Sequence, residues 1–220
     1  MSTSTVENYL KQLYLEQQSV EGEVILMGRM AAAMNVAPGT ATAMMKGLAE
    51  SGLVDYRPRS GVRLTRKGEQ LALGVLRRHR LVETFLVEVL GLDWSEVHEE
   101  AEALEHAISE RVLERIDVAL GNPTHDPHGD PIPTAQGRVR KAALCTLADA
   151  AEGAPLTVVR VADQSPAFLK FIERQGMMPG TQVVVVSRDA AAEAIRVRAS
   201  GKRIASLGIA AAAKVFVEGR

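Results

Sequence analysis

Cysteine is almost absent from the sequence, since Cys145 is the only one in 220 residues. A single thiol excludes an internal disulfide and a cysteine-cluster zinc site. Aromatic residues make up 4% of the chain, and every apolar run is far shorter than the roughly 20 residues that a membrane-spanning helix needs. No charged-then-apolar secretion signal opens the chain, so we expect a cytoplasmic protein.

The acidic residues are concentrated in the middle of the chain. Residues 1–72 carry a net charge of +1, residues 73–120 carry −6 and residues 121–220 carry +4. The first segment is not strongly basic, so DNA binding has to be argued from motif and placement instead of net charge. The acidic middle is where a cation would bind.

Two stretches of this middle segment are predicted to be helical: residues 71–90, extending back to Arg66, and residues 95–120. Each carries imidazoles and carboxylates on a stripe that borders its apolar face. Such half-buried donors cost desolvation free energy unless a cation pairs with them. The sequence therefore predicts a divalent metal site, with His79, Glu83, His98, Glu102, Glu105 and His106 as its candidate ligands.

The first third of the chain has the pattern of a helix-turn-helix. Helices are predicted over residues 6–17, 26–34 and 38–51, and three residues separate the second from the third. Pro38 suits a first helical position and Gly52 a helix end. The predicted outward residues of the third helix, which would meet DNA, are Pro38, Gly39, Thr40, Thr42, Ala43 and Lys46.

A predicted hairpin follows this third helix. Strand-like residues 53–57 and 62–65 surround a turn with basic residues at its tip. A hairpin after a recognition helix is typical of a winged helix-turn-helix, in which Arg57, Arg59 and Arg63 would contact phosphates. Winged helices also serve as protein-interaction modules, so this alternative stays open.

The remainder of the chain is predicted to be a linker followed by a small β-barrel. Residues 121–137 contain four prolines and form the linker, in which we expect His125 and His128 to be exposed. A short helix is predicted over residues 138–150 and another over 166–175. Short strands are predicted at 156–161, 182–187, 194–197 and 214–217, the pattern of a small barrel.

The chain resembles the diphtheria toxin repressor and manganese transport regulator family of metal-dependent transcription factors. The resemblance covers nearly the whole chain and is carried by the segments VENYL, APGTATAMMKGLAESGLV, LTRKGEQLA, RRHRLVETFL, VHEEAEALEH and HGDPIP. It implies a mainly α fold with a small β part. The implied domains are a winged helix-turn-helix over residues 1–72, a helical metal-binding and dimerisation domain over 73–142, and a FeoA-like small β-barrel over 143–220.

The resemblance also implies two metal sites. One would use His79, Glu83 and His98 with a ligand from the barrel, for which Asp163 or Gln164 could serve. The other would use Glu102, Glu105, His106 and Asn8. Iron-sensing relatives commonly have Cys and Met at the positions of Glu102 and Asn8, and manganese-sensing ones have acids at the positions of Asn8 and Lys11.

These departures favour hard oxygen donors, so we expect Mn²⁺ first and Fe²⁺ second. The predicted function is a metal-dependent repressor that binds a palindromic DNA operator as a homodimer, without enzymatic activity and without a membrane partner. Two alternatives remain from the residues alone. One is a winged-helix sensor of a small organic ligand, and the other is a di-metal helical-bundle enzyme, whose usual Glu-x-x-His pairs are absent here.

Overall fold

The structure is a computed structural model that describes residues 3–20, 24–140, 143–199 and 204–219. The chain forms two compact units. The first comprises Met1–His79, Glu105–Ile108 and Pro133–Val139, and the second comprises Arg80–Leu104, Ser109–Ile132 and Arg140–Arg220.

The first unit contains the predicted winged helix-turn-helix. Its elements are α1 (Ser4–Gln18), α2 (Met27–Ala33), α3 (Pro38–Glu50), β1 (Val54–Arg57), β2 (Gly61–Leu64) and the start of α4 (Arg66–Glu88). Thr3 caps α1 by accepting a hydrogen bond from the Val6 amide. Asn35 has φ 50° in the turn between α2 and α3, a left-handed conformation that asparagine tolerates. The core of the unit includes Leu10, Leu13, Ile25, Met30, Met45 and Val62.

The hairpin is extended by a third segment. Strands β1 and β2 pair antiparallel, with Val54 opposite Leu64 and Arg57 opposite Gly61. Ile25 forms a further bridge to Val62, and the two residues exchange backbone hydrogen bonds of 2.8 and 2.9 Å. The wing is thereby anchored to the segment that precedes α2.

The predicted single helix over residues 95–120 is wrong, because the structure has two shorter helices there. Helix α5 spans Val97–Leu104 and α6 spans Glu110–Ala119. Ser109 starts α6, since its hydroxyl accepts a hydrogen bond from the Val112 amide. Glu105 and His106 therefore lie in the turn between the helices, and the idea of one continuous donor stripe has to be abandoned.

The second unit contains a six-stranded antiparallel sheet in the order β3-β8-β4-β5-β6-β7. The edge strands β3 and β7 do not pair with each other among the described residues, so the predicted barrel is an open sheet. Its apolar side carries a core to which Trp94 also contributes. The elements are β3 (Cys145–Thr146), β4 (Pro155–Val161), α7 (Pro166–Gln175), β5 (Gln182–Asp189), β6 (Ala194–Ala199), β7 (Ile204–Gly208), α8 (Ile209–Ala212) and β8 (Val215–Gly219).

The predicted helix over residues 138–150 is also wrong within its described part. Cys145 and Thr146 instead pair with Val217 and Phe216 of β8, so sheet pairing overrides the helical preference of this alanine-rich stretch. Residues 141 and 142 of that prediction lie outside the described residues. The described helices include none with both the length and the apolar character to cross a membrane.

Candidate metal centres and nucleic-acid interface

One group of potential ligands lies in the first unit and is centred on the buried carboxylate of Glu105. Its Oε2 lies 2.7 Å from His79 Nδ1 and its Oε1 lies 3.2 Å from His106 Nε2. Lys11 Nζ donates to both oxygens, at 2.7 and 2.9 Å. We call this set the Glu105 cluster and include in it Glu7, Asn8, Lys11, Arg78, His79, Glu105 and His106.

Helix α1 supplies partners for the imidazole of His106. Its Nδ1 lies 2.7 Å from Glu7 Oε2 and its Nε2 lies 2.7 Å from Asn8 Oδ1. Arg78 contacts the same Glu7 carboxylate at 3.1 Å and donates to the backbone carbonyl of Glu105. The turn that carries Glu105 and His106 is thus held against α1 by charged and polar contacts.

The charges of the Glu105 cluster are balanced by its own side chains. Burial alone would raise the pKa of the Glu105 carboxyl, but the hydrogen bond from His79 and the charge of Lys11 bring that pKa below its usual value. The carboxylate form is therefore the stable one. Carboxylate, imidazole and amide oxygen are also the donors that Mn²⁺ and Fe²⁺ accept, so the residues fit a divalent ion.

A second group of potential ligands lies in the second unit, and of its members the sequence predicted only Glu83. Ligand atoms of Glu83, Asp126 and His128 all lie within 4.8 Å of one another, and the three residues are buried. We call them the Asp126 cluster. The prediction that His128 is exposed is wrong, since it is 0% exposed, whereas His125 is exposed as predicted.

The tautomer of His128 follows from its contacts. Its Nε2 lies 2.8 Å from the backbone carbonyl of Trp94, which can only accept, so Nε2 carries the proton. In the neutral ring Nδ1 then offers a lone pair, 3.9 Å from Glu83 Oε2 and 4.0 Å from Asp126 Oδ1. This nitrogen makes no hydrogen bond to any described residue. A buried imidazole oriented in this way is a typical metal ligand.

Several carboxylates lie close together in and around the Asp126 cluster. Arg80 Nε lies 3.5 Å from Asp126 Oδ2, and Asp130 adds a further carboxylate that pairs with Arg160 at 2.9 Å. Burial of Asp126, reinforced by the charges of Asp130 and Glu83, raises the pKa of Asp126 well above its usual value. A divalent cation would relieve this repulsion, so these residues also fit a metal ion.

Backbone packing fixes the loop that carries Asp126 and His128. The amide of Val161 in β4 donates to the His128 carbonyl at 2.8 Å. Gly129 has φ +87°, and a Cβ on it would lie 1.9 Å from the carbonyl oxygen of Val159. Only glycine allows this approach without a shift.

The other predicted ligands are distributed as follows. Glu83 lies one turn after His79 on α4, and its Oε1 lies 3.2 Å from His98 Nδ1. Glu102 is near the end of α5, with its carboxylate 3.8 Å from His98 Nε2. Among the described residues, neither of the two residues predicted as barrel ligands belongs to a group of this kind.

Each of those two residues has another partner. Asp163 Oδ2 pairs with Lys214 at 2.7 Å, and the amide of Gln164 donates to Asp130 at 2.8 Å. Burial would raise the pKa of Asp163, but hydrogen bonds from Lys214 and Ser165 lower it. A metal ligand from this segment stays a prediction.

The predicted DNA-contacting residues lie on the surface of the first unit. All are exposed except Thr42, which is half-buried and whose hydroxyl donates to the Pro38 carbonyl. Arg59 has φ 65° at the tip of the wing, and Arg63 pairs with Asp55 at 3.1 Å. The exposed predicted residues are Pro38, Gly39, Thr40, Ala43, Lys46, Arg57, Arg59 and Arg63.

Signals for the missed residues were present in the sequence. Asp126 and His128 have the spacing of two ligands on one loop, and His128 begins the HGDPIP segment that carries the resemblance. Glu7 precedes Asn8 on α1 and completes the polar face that meets His106. The four prolines of the linker predict a loop, and loops are usually exposed. Proline content does not show whether a particular loop is buried.

Family models match three consecutive parts of the chain. The model of the iron-dependent repressor N-terminal DNA-binding domain matches residues 1–62, and that of the iron-dependent repressor metal-binding and dimerisation domain matches residues 65–134. The model of the FeoA domain matches residues 145–219. Together they describe a DNA-binding regulator.

Individual relatives agree with this description. The chain is 36% identical over 163 residues to the iron-dependent repressor IdeR of Mycobacterium leprae, covering 70% of each chain. It is 34% identical to IdeR of Mycobacterium tuberculosis over 194 residues, covering 82% of this chain and 83% of the relative. A solved structure of a manganese-dependent transcriptional repressor in complex with manganese has a TM-score of 0.88 and 38% identity, covering 98% of this chain and all of that one.

The matched domains and the relatives therefore define a metal-dependent DNA-binding regulator. The chain belongs to the iron-dependent repressor family, which also includes the diphtheria toxin repressor. This confirms the predicted family and the predicted metal dependence, and a repressor of this family is not an enzyme.

Proposed function

We propose that this protein is a manganese- or iron(II)-dependent transcriptional repressor that controls genes of metal-ion homeostasis. The observation that carries the proposal is the Glu105 cluster, in which Asn8 of helix α1 lies 2.7 Å from His106, and His106 lies 3.2 Å from Glu105. Amide oxygen, imidazole and carboxylate are all suited to metal binding. Its intracellular target, DNA, is consistent with a cytoplasmic protein.

Manganese is the ion we propose first. The candidate ligands of both clusters offer carboxylate, amide and imidazole donors, which suit Mn²⁺ and Fe²⁺ better than soft-donor sites do. Affinity alone would still follow the Irving–Williams order, so selectivity has to come from geometry and metal supply. The similar solved structure is that of a manganese-dependent repressor.

We assign two sites. The first is formed by Asn8, Glu102, Glu105 and His106, as the family resemblance implies. The second is built on Glu83, with His79 and His98 from the same resemblance. Asp126 and His128 are added because their ligand atoms lie within 4.8 Å of one on Glu83. The proposed domain boundaries stay at residues 72 and 142.

The first site would couple metal to DNA binding through α1. Asn8 belongs to α1, while Glu105 and His106 belong to the turn between α5 and α6. A divalent ion bound by these residues would link α1 to the turn between α5 and α6. With α1 held in one orientation, α3 and the wing would be fixed for binding. Metal at 100 times its dissociation constant shifts such an equilibrium by about 2.7 kcal/mol per site.

The operator is proposed to be palindromic. The matched dimerisation domain exposes large apolar side chains, with Val89 55%, Leu90 56% and Val118 64% exposed, which a two-fold dimer would cover. Two recognition helices related by a dyad would read half-sites about 34–36 Å apart. Arg57, Arg59 and Arg63 of the wing would contact phosphates, and α3 would enter the major groove.

The test uses DNA selected from a random library by the Mn²⁺-loaded protein. Fluorescence anisotropy should show tight binding of the selected DNA with Mn²⁺ and at least about a hundredfold weaker binding after chelation. Glu105→Gln and His106→Ala should lose the response to metal, and His125→Ala, which changes an exposed histidine, should keep it. Equal binding by chelator-treated protein would refute the proposal.

A further inference from the structure

Lys11 is a buried cation placed directly on a proposed metal ligand. Its side chain is 7% exposed and that of Glu105 is 0% exposed. The ammonium donates to Oε1 at 2.7 Å and to Oε2 at 2.9 Å, so it engages both oxygens of the carboxylate. Lysine is rarely buried unless it is paired with an opposite charge, so the burial of Lys11 depends on its ion pair with Glu105.

An ammonium and a divalent ion compete for the same oxygens. Lysine in its charged form has three N–H donors and no lone pair, so it cannot join the ligand set. It can only compensate the charge that an ion would compensate. A divalent ion bound to an oxygen now held by Lys11 would lie close to the ammonium, and the repulsion between the two cations favours release of that hydrogen bond.

We propose that Lys11 is a built-in competitor for the Glu105 carboxylate, which a divalent ion must displace, and that it thereby sets the metal concentration at which the protein switches. This inference rests on the proposed function and adds a residue that determines its threshold. Lys11 lies three positions after Asn8, so the competitor and a proposed ligand share one face of α1.

Lys11 also has a stabilising role in the metal-free protein. A buried carboxylate left without a cation is strongly unfavourable, so Lys11 stabilises the protein when metal is scarce. The same ion pair then weakens metal binding, because its loss is part of the binding reaction. Its flexible four-carbon stem allows the ammonium to move while α1 stays in place.

The threshold can be measured by calorimetric titration with Mn²⁺. The experiment uses full-length protein carrying Asp126→Asn and His128→Ala, which remove two proposed ligands of the second site, so that the isotherm reports mainly the first. We expect Lys11→Met to bind Mn²⁺ about tenfold more tightly than the parent. The matched control is Lys170→Met, which removes an exposed Lys–Glu pair with Glu96 in the second unit and should leave the affinity unchanged.

Unchanged or weaker binding by Lys11→Met would overturn the inference while leaving the proposed function intact. If neither protein binds Mn²⁺ at this site, the proposed function fails, and the inference fails with it. Chelator-treated Lys11→Met should also melt at a lower temperature than the parent and gain more from added Mn²⁺.

A second measurement on the wild-type chain covers the case in which Lys11→Met does not fold. Acylation of Lys11 by an amine-reactive reagent, quantified by mass spectrometry relative to Lys170, should be slow in chelator because the amine is buried and paired. Mn²⁺ at saturation should accelerate it several-fold. A rate that stays the same or falls would show that the ion pair persists, which overturns the displacement.

Discussion

The Glu105 cluster and the Asp126 cluster contain similar donor atoms but differ in how their charges are balanced. Glu105 has an ammonium and a histidine on its oxygens, and His106 has partners on both ring nitrogens. Asp126 and His128 are both buried, yet His128 Nδ1 and Asp126 Oδ2 make no hydrogen bond to a described residue.

This difference indicates two kinds of response to metal. In our proposal the Glu105 cluster exchanges existing contacts for an ion, so we expect a reduced affinity and an occupancy that reports metal supply. The Asp126 cluster gains relief from repulsion when it binds a cation, so we expect it to fill at lower metal concentration. A sensor needs the first behaviour, and a site that supports the structure needs the second.

The largest effect should come from breaking the balanced cluster at its centre. Glu105→Gln leaves the buried Lys11 ammonium without its counterion, and we expect a loss of about 3 kcal/mol in the free energy of unfolding. Urea denaturation in chelator measures it. Glu96→Gln, at an exposed ion pair, should change nothing measurable, and a Glu105→Gln loss below about 1 kcal/mol would argue against the balance described here.

The next effect tests the second cluster through its imidazole. His128→Ala removes the imidazole whose tautomer is set by the Trp94 carbonyl. We expect Mn²⁺ affinity at this site to fall about 100-fold. Calorimetry resolves the two sites. His125→Ala, three positions away and exposed, is the control. Equal affinities of the two variants would remove His128 from the ligand set.

The two carboxyls should also differ in the sign of their pH dependence. The pKa of Glu105 is lowered in the folded protein, so its stabilisation is present above pH 4.5 and is lost as the pH falls through the folded pKa. The pKa of Asp126 is raised, so its contribution is present below pH 3.8 and is lost as the pH rises through the folded pKa. In chelator, Asp126→Asn should therefore stabilise the protein at neutral pH, by an amount that vanishes in acid. Urea denaturation at several pH values measures the difference. A variant less stable than wild type at pH 7 would contradict the sign.

The smallest effect is expected at the two residues predicted as barrel ligands. Asp163 already pairs with Lys214 and Gln164 with Asp130, so Asp163→Asn and Gln164→Ala should weaken Mn²⁺ binding by less than about threefold. A tenfold loss for either would show that the residue joins the metal and would extend the ligand set of the second site.

Sequence patterns correctly predicted the elements whose structure depends on residues close to them in the chain. The helix-turn-helix and the hairpin follow from periodicity, Pro38 and turn residues, and the structure agrees with them. The break at Ser109 was missed, because a serine inside an amphipathic pattern gives a weak signal for a new helix start. Strand β7 (Ile204–Gly208) was also missed, since its short mixed sequence becomes a strand only by pairing with β6.

In the candidate sites, too, the sequence predicted what depends on residues close in the chain and not what depends on distant ones. Helical spacing selected the candidate ligands of the middle segment, although Glu105 and His106 lie in a turn between two helices. It could not identify the partner of Lys11, since that contact joins residues 94 positions apart. Nor could it reveal the burial of His128, which depends on Trp94 and on the backbone of β4.

The absence of a side chain at Gly129 has a consequence for taking this protein apart. Because the Gly129 backbone lies directly against Val159 and the Val161 amide donates to the His128 carbonyl, this part of the proline-rich segment is packed onto strand β4. The proline-rich segment is therefore unsuitable as a truncation boundary. A truncation after residue 140 would remove β4 and leave the loop of Asp126 and His128 without its packing partner, so shortened versions should be judged for solubility before they are judged for loss of sensing.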